Sequence, residues 1–311
     1  CSLALFGSSA AGLWTRGSDI DICLLVPACF DRKAQTRMLQ KVGGELRRSS
    51  SRYRVKPRLA AQMPILRWEA KPMVGPSCDI SVNNTLAVAN SRLIARYMSV
   101  DARLPLLRSC LKVWASARGI NDRSRGTFSS FALTLMLIHF VQQRSPPLVP
   151  SLQDLANKNG SPVVMIQSVD CKFCSDPAEV DAELEQLGNG QRNTESIGAL
   201  LHDFFRYYGY EYSRGTIAIR DRSSFIPHEN EATSYLIVDN PFQPGKDVAN
   251  IEPYLYTRLR EEFRRAHALL HDGGTFREVC AEPPQPGECP LTGPLQLGMN
   301  VGLGGRLWNS D

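Results

Sequence analysis

The sequence has no apolar run of the roughly 18 residues that a membrane-spanning helix needs, so we expect no membrane partner. A signal or transit segment is not visible at its start either, and we expect an intracellular protein, with cytoplasm, nucleus and mitochondrion left open. Met is missing from the first position, where Cys1 begins a run with the apolar character of a strand interior. We therefore expect that part of the protein before this strand is missing.

The cysteines lack the pattern of a disulfide scaffold, because their number, nine, is odd and several lie in apolar segments. The one close pair is Cys171 and Cys174. A zinc site that also uses Cys280 and Cys289 is an alternative, but this second pair lies about a hundred residues away with the wrong spacing for a usual zinc module. We interpret the close pair as free thiols in a loop.

A strong excess of one charge is also absent. Thirty-six Lys and Arg residues against 31 Asp and Glu residues give a formal net charge of +5. This mild excess is compatible with a nucleic-acid partner without demonstrating one. The chain has 311 residues, of which 43% are hydrophobic, and this is enough for the cores of about two domains.

Hydrophobic spacing divides the chain into a small α/β domain, a larger helical domain and a tail. In residues 1–84, short runs rich in Ile, Val and Leu predict strands with helical stretches between them. In residues 85–272, apolar residues recur at helical spacing, interrupted at about 156–194 by a polar segment that we interpret as a long loop or insertion. Residues 273–311 are rich in Gly and Pro and predict a mostly unstructured tail.

Aspartates on predicted strands are the strongest chemical signal. Asp19 and Asp21 are two residues apart, so their side chains lie on one face of a strand, and Asp79 lies on a second apolar strand. Like charges this close repel each other and require a cation beside them. Hard divalent cations such as Mg²⁺ take such oxygen ligands. Carboxylates that converge from neighbouring strands can hold two metal ions for an in-line displacement at phosphorus.

A turn made of Gly7 and Ser8 follows the first predicted strand. Backbone N–H groups and a hydroxyl at such a turn can bind a phosphate. An isolated Asp-x-Asp motif is weak evidence, because many exposed strands carry one. Here Asp19 follows Ser8 by eleven residues and Asp79 comes later on its own strand, and this combination is much more specific.

Six segments, in order along the chain, resemble the DNA-polymerase-beta-like nucleotidyltransferases, and among them the RNA terminal uridylyltransferases and the divergent poly(A) polymerases. The resemblance covers about residues 1–270 except the polar segment. It implies a palm-like mixed-sheet domain, a mainly helical poly(A)-polymerase-associated domain, a catalytic cleft between them, and a nucleotide-recognition loop at about 237–250. The segments are residues 6–13 with 18–22, 78–84 with Asn90, 111–114 with 126–131, 146–153, 200–209, and 238–242 with Asp247.

The family's activity is the template-independent transfer of nucleotides from a nucleoside triphosphate to the 3′-hydroxyl of RNA. The resemblance implies that Asp19, Asp21 and Asp79 bind two Mg²⁺ or Mn²⁺ ions, and that Asp79 helps to deprotonate the RNA hydroxyl. It is compatible with a place in an RNA-processing complex. The implied nucleotide contacts are Gly7 and Ser8 to the triphosphate, Lys112 and Ser130 to phosphates, Asn90 to the ribose 2′-hydroxyl, Phe131 stacked on the base, and Asn84 and Asp247 at the base edge.

Some of these residues also have simpler interpretations. Phe131 lies in an apolar helix, and taken alone it indicates a core position. Lys112 lies between Leu111 and Val113, where burial is unfavourable without an anionic partner, and this supports a phosphate role. His139 lies in an apolar helix and indicates a core histidine, whereas His202 lies on a polar helix face.

The sequence departs from the family pattern at the second phosphate-binding lysine and in the recognition loop. Ser116 stands four residues after Lys112, where a lysine is common, and Arg118 points elsewhere on an ideal helix. The loop reads Asp-Asn-Pro at 239–241 and contains no His at 243–247, where many uridylyltransferases carry one to discriminate uracil.

The base preference therefore rests on chemistry. An ionised Asp247 only accepts hydrogen bonds, so it would favour the N3–H donor of uracil, while Lys246 could donate to uracil O4. If Asp247 faces away, this argument fails. The Pro-Gly-x-Asp-Val motif ending at Val248 resembles nuclear poly(A) polymerases and favours ATP, whereas residues 146–152 and the following insertion favour UTP. We expect UTP, with ATP as the alternative.

Two other functions stay open from the sequence. One is an inactive relative that binds RNA as a scaffold, which the complete set of Asp19, Asp21 and Asp79 argues against. The other is a nucleotidyltransferase that acts on small molecules or proteins. The helical second domain and the recognition loop favour RNA over that possibility.

Overall fold

A five-stranded mixed sheet forms the first part of the computed structural model, which describes residues 1–13, 18–27, 31–49, 51–61, 63–71, 74–212, 215–222 and 236–282. The strand order is β1-β2-β5-β4-β3, and only the β2/β5 pair is parallel. The strands are β1 (Ser2–Phe6), β2 (Ile20–Leu25), β3 (Tyr53–Arg58), β4 (Ile65–Ala70) and β5 (Cys78–Val82).

Two helices belong to this sheet. The four-residue α1 (Gly7–Ala10) connects β1 to β2, and α2 (Arg32–Ser49) precedes β3. One hydrophobic cluster joins α2 to the sheet, with the fully buried Leu39 against Leu66. Apolar side chains recur along α2 at helical spacing while its other face carries Lys and Arg, so one face packs and the other is solvated.

Helices dominate the chain from residue 85 onwards. The central one is α5, in which every residue from Ala132 to Gln142 is buried, as expected for a helix that is apolar all round. Around it lies a second and larger hydrophobic cluster. The helices are α3 (Thr85–Val100), α4 (Arg103–Ala117), α5 (Ser130–Gln142), α6 (Leu152–Lys158), α7 (Pro177–Leu187), α8 (Ile197–Arg206), α9 (Pro253–His271) and α10 (Phe276–Val279).

Small β elements and short turns complete the described residues. A hairpin and a second sheet of order β10-β9-β8 lie among the helices, a 3-10 turn precedes α5 and a π-helical turn follows α8. None of the described helices is both long and apolar enough to cross a membrane. The strands are β6 (Met165–Ile166), β7 (Val169–Asp170), β8 (Thr216–Ile217), β9 (Ile237–Asn240) and β10 (Gln243–Asp247).

The prediction of a long loop at 156–194 is wrong in one respect, because this stretch contains the β6/β7 hairpin and α7. The side chain of Asp176 caps α7, and Val180 and Leu184, one turn apart, are buried. These short-range signals are easily hidden among the surrounding glycines.

The prediction of an unstructured tail from residue 273 is wrong for residues 276–279, which form α10. A capping box between Thr275 and Glu278 starts this helix, and Val279 is fully buried. Residues 283–311 lie outside the described residues. Residues 1–281 form one compact unit, and the division into domains at residues 84 and 85 stays a prediction.

Trp114 on α4 links three helices and provides a test of the helical core. Its indole is fully buried, with its ring centroid 4.8 Å from that of Phe205 on α8 and 5.0 Å from that of Phe263 on α9.

We predict that Trp114→Ala lowers the free energy of unfolding by about 3–5 kcal/mol, because it leaves a cavity. Urea unfolding measures this. The neighbouring Val113 is 53% exposed, so Val113→Ala should change stability by less than about 0.5 kcal/mol, and equal losses would contradict this packing.

Candidate active site

The register of the sheet brings the predicted aspartates together. Asp21 on β2 pairs with Asp79 on β5, and Asp79 in turn pairs with Arg67 on β4. Residues in register on adjacent strands project from the same face of a sheet. Asp19 lies immediately before β2, so the three carboxylates and one guanidinium meet at one place.

Arg67 is a member of this cluster that the sequence analysis missed. Its guanidinium donates two hydrogen bonds to Asp19, at 2.9 Å and 3.1 Å, and contacts both oxygens of Asp79 at 3.3 Å. A bidentate contact of this kind is the strongest geometry for an arginine and a carboxylate. Arg67 therefore places a positive charge of the protein itself in contact with two of the three carboxylates, Asp19 and Asp79.

The third carboxylate, Asp21, is buried and is repelled by the negative charges of Asp79 and Asp19. Burial, and then the negative charges of Asp79 and Asp19, raise the pKa of Asp21 from 3.8 to about 6. Burial likewise raises the pKa of Asp79. Carboxylates that ionise reluctantly gain most from a cation, and three hard oxygen ligands suit Mg²⁺ or Mn²⁺. The residues present therefore fit the predicted divalent metal ions.

Gly7 is required by the approach of one of these carboxylates. Its φ is +64°, and a Cβ atom at this position would lie 2.1 Å from Oδ2 of Asp21. Only glycine tolerates both conditions. The N–H of Gly7 donates to the Ser91 hydroxyl at 2.7 Å, so this predicted phosphate donor is already engaged, although Gly7 and Ser8 both line the cavity described next.

A cavity of about 800 Å³ opens beside the carboxylates. Residues of β1, β2 and α1 line it together with residues of α3, α4 and α5. Asp19 and Asp21 contribute negative charge, and three cations contribute positive charge from the helical side: Arg108, Lys112 and Arg123. A cavity with both signs of charge can hold an anion and metal ions together.

Two of these cations lie on α4. Lys112 donates to the Ser18 hydroxyl at 2.7 Å, and burial, followed by the charge of Arg108, lowers its pKa. Arg108 is buried and donates to the carbonyl of Leu13 at 3.0 Å. Arg108 and Arg123 were not predicted as site residues, and the cluster of positive charge favours an anionic ligand such as a triphosphate.

Some of the residues predicted to contact the nucleotide also line this cavity. Asn90 lines it, and among the described residues its buried side-chain oxygen has no hydrogen-bond partner, which is unusual unless a ligand supplies a donor. Phe131 lines the cavity while also packing against the helical core. Ser130 lines it as well and exchanges hydrogen bonds with Asn121 at 3.2 Å.

Two predicted nucleotide contacts do not line the cavity. Asn84 lies at the start of α3, where its N–H donates to the Cys23 sulfur. Asp247 accepts three backbone N–H groups, from Val238, Ala249 and Asn250, at 2.9–3.0 Å. Its carboxylate therefore stabilises its own loop, and most of its acceptor sites are occupied by backbone N–H groups rather than open to a base.

Other parts of the recognition loop face elsewhere. Pro241, Phe242 and Pro244 line a second cavity of about 450 Å³.

Arg118 forms an ion pair with Glu262 on α9, with contacts of 2.8 Å and 2.9 Å. It therefore does not replace the lysine missing at Ser116, in agreement with its expected direction.

The zinc alternative gains no support from the described residues. Cys171 and Cys174 are free and buried, and the Cys174 thiol donates to Glu179 at 3.1 Å. Cys280 is a free thiol as well, and Cys289 lies outside the described residues. The interpretation of the close pair as free thiols stays a prediction.

Comparison with known proteins agrees with this geometry. Residues 1–99 match the family model of the "Poly(A) RNA polymerase, mitochondrial-like, central palm domain". Human terminal uridylyltransferase 7 is 31% identical over 77% of this chain and 16% of its own length. The poly(A) RNA polymerase cid13 of Schizosaccharomyces pombe is 30% identical over 90% of this chain and 47% of its own length. The chain thus spans less than half of each of these curated relatives.

A solved structure extends the likeness to the whole fold. The Cid1 poly(U) polymerase with Mg 3′-dATP bound has a TM-score of 0.76 and 26% identity, over 91% of this chain and 86% of that chain. The mixed sheet has the fold of a nucleotidyltransferase palm domain. Within this class, the chain is similar to the RNA terminal uridylyltransferases and divergent poly(A) polymerases, which confirms the predicted resemblance and fold class.

The raised pKa of Asp21 leads to a stability prediction for the metal-free protein. Below about pH 3 the carboxyl is protonated in both folded and unfolded chains, but as pH rises from about 4 to about 6 the unfolded chain ionises first and the folded state is penalised. Asp21→Asn removes that penalty. We predict that this variant is more stable than the original by about 1–3 kcal/mol at pH 8, with the difference vanishing below about pH 3.

Urea unfolding in the presence of a chelator measures this difference. The exposed Asp272 provides the matched control, because Asp272→Asn should leave the pH dependence unchanged. A destabilising effect of Asp21→Asn at pH 8 would show that the carboxylate is not held in the repulsive cluster described above.

Proposed function

We propose that this chain transfers nucleotides, without a template, from a nucleoside triphosphate to the 3′-hydroxyl of RNA, with UTP as the preferred substrate. The observation that carries the proposal is the cavity lined by Asp19 and Asp21 together with Arg108, Lys112 and Arg123. Its carboxylates suit metal ions and its cations suit a triphosphate, and nucleotidyl transfer requires both.

The residues of the chain divide this task. Asp19, Asp21 and Asp79 would hold two Mg²⁺ or Mn²⁺ ions, which, when bound, stabilise charge on the attacking and leaving oxygens. Arg67 would then share Asp19 and Asp79 with those ions.

On the helical side, Lys112 and Arg108 would neutralise the triphosphate and the pyrophosphate that leaves. The unpartnered oxygen of Asn90 would accept a hydrogen bond from a ribose hydroxyl. Phe131 would offer a face on which the base stacks, a contact worth about 1–3 kcal/mol.

ATP is the second candidate substrate. The engagement of Asp247 by three backbone N–H groups occupies most of the acceptor sites that would discriminate uracil, and several relatives are named poly(A) RNA polymerases. Support for UTP remains in residues 146–152 and in the likeness to a terminal uridylyltransferase and a poly(U) polymerase. A scaffold role fits poorly with an intact set of carboxylates and cations.

The proposal is tested with purified protein, a short labelled RNA and each of the four nucleoside triphosphates separately, in Mg²⁺ and in Mn²⁺. We predict extension of the RNA, fastest with UTP. Faster extension with ATP would make the chain an adenylyltransferase. An absence of extension with every triphosphate would contradict the proposed activity.

A paired variant tests the site itself. We predict that Asp19→Asn with Asp21→Asn lowers the extension rate at least about a hundredfold, because the metal ligands are lost. Asp181 on α7 is exposed, and Asp181→Asn should retain the full rate. Circular dichroism checks that both variants remain folded, and near-normal extension by a folded double variant would contradict the assignment.

A further inference from the structure

Three of the five histidines of the chain meet on one surface. His202 lies on α8, and His267 and His271 lie on α9. Each histidine offers one ring nitrogen, and these three nitrogens all lie within 4.8 Å of one another. Of the other two histidines, His139 is a buried core residue, as predicted, and His228 lies outside the described residues.

The helices arrange these rings for a common ligand. His267 and His271 are four residues apart and therefore share one face of α9. The ring centroids are 4.5 Å apart for His202 and His267 and 5.7 Å apart for His267 and His271. A tetrahedral zinc ion with bonds of about 2.0–2.1 Å needs ligand nitrogens about 3.4 Å apart. Small side-chain rotations can bring the three nitrogens to this separation, because His271 is exposed and the other two histidines are half-buried.

A carboxylate orients one of the rings. Nδ1 of His202 lies 3.1 Å from Oδ1 of Asp203, so a proton shared there leaves Nε2 with its lone pair for a metal. A carboxylate behind a ligating histidine is the usual support of a metal site. Asp203 is itself fixed by Arg144, at 2.9 Å.

The groups around the cluster favour the neutral form of His267. Burial, and then the neighbouring His202 and His271, lower the pKa of His267. Arg206 faces the cluster and acts in the same direction, and Asp203 acts against it. Neutral imidazoles are the form that binds transition metals. His271 also ends α9, where the helix dipole favours a cation.

We propose that His202, His267 and His271 form a binding site for a borderline transition-metal ion of the Zn²⁺ type, with water in the fourth position. Imidazole nitrogen selects such ions, whereas the carboxylate cluster around Asp21 selects Mg²⁺ and Mn²⁺. The two sites therefore differ in the kind of ion that they bind as well as in position.

The ion would connect α8 to α9, and this connection has a structural consequence. Phe205 on α8 and Phe263 on α9 both pack against Trp114 on α4, and α4 also carries Lys112 and Arg108. A metal ion bound only by the folded chain raises its thermal stability. We therefore expect Zn²⁺ to stabilise the helices that support the cationic wall of the cavity.

The test uses the full chain carrying Asp19→Asn and Asp21→Asn, so that the carboxylate cluster contributes little. Co²⁺ titration reports nitrogen ligation by its visible absorption, and thermal unfolding with and without Zn²⁺ reports stabilisation. The comparison variant adds His202→Gln, His267→Gln and His271→Gln. The matched control adds Glu261→Gln, since Glu261 is an exposed residue of the same helix.

We expect one tightly bound Co²⁺ per chain and a rise in melting temperature of a few degrees with Zn²⁺, in the background protein and the control alike. Both should disappear in the three-histidine variant, and His202→Gln alone should weaken binding about tenfold or more. If the three-histidine variant is folded and binds Co²⁺ as tightly as the background protein, the proposal is wrong. It is equally wrong if the background protein shows neither signal.

Discussion

The mutual repulsion of three carboxylates is the constraint on which the rest of the site depends. Asp21 and Asp79 are fixed side by side by the parallel pairing of β2 with β5, and Asp19 is held beside them by Arg67. Gly7 has no side chain because Oδ2 of Asp21 occupies the space that a Cβ atom would need. A protein retains such an unfavourable arrangement where the charges have a task, and burial together with this repulsion raises the pKa of Asp21.

The helices supply the complementary charge. Helix α4 buries Trp114 in the core on one side and directs Lys112 and Arg108 into the cavity. The position of these cations therefore depends on packing against α8 and α9, far along the chain. A metal ion at the three histidines would act on this same packing, so the proposed second site bears on stability and not on the chemistry of transfer.

Local patterns in the sequence predicted much of this arrangement. Short apolar runs predicted strands in the first part of the chain and helical spacing predicted the long helices, while the spacing of Asp19 and Asp21 singled them out as candidate metal ligands. Arg67 could not be found in this way, because its place opposite Asp79 follows from the pairing of β4 with β5, which no local pattern encodes. The same holds for His202, which meets its partners only when α8 packs on α9.

The recognition loop shows a different limit. Asp247 was expected at the base edge because a carboxylate accepts hydrogen bonds, but three backbone N–H groups of its own loop take that role. Whether a polar side chain serves a ligand or its own backbone depends on turn geometry, which composition does not reveal. The segment predicted as this loop contains strands β9 and β10 with their connection, and its role in nucleotide recognition stays a prediction.

The central claim, that three converging carboxylates bind divalent cations beside a triphosphate, is tested most directly by metal binding without turnover. Electron paramagnetic resonance of Mn²⁺ counts bound ions in the presence of a non-hydrolysable triphosphate. We expect the original chain to bind Mn²⁺ that a folded variant with Asn at Asp19, Asp21 and Asp79 does not bind. Equal Mn²⁺ binding by the two proteins would contradict the account.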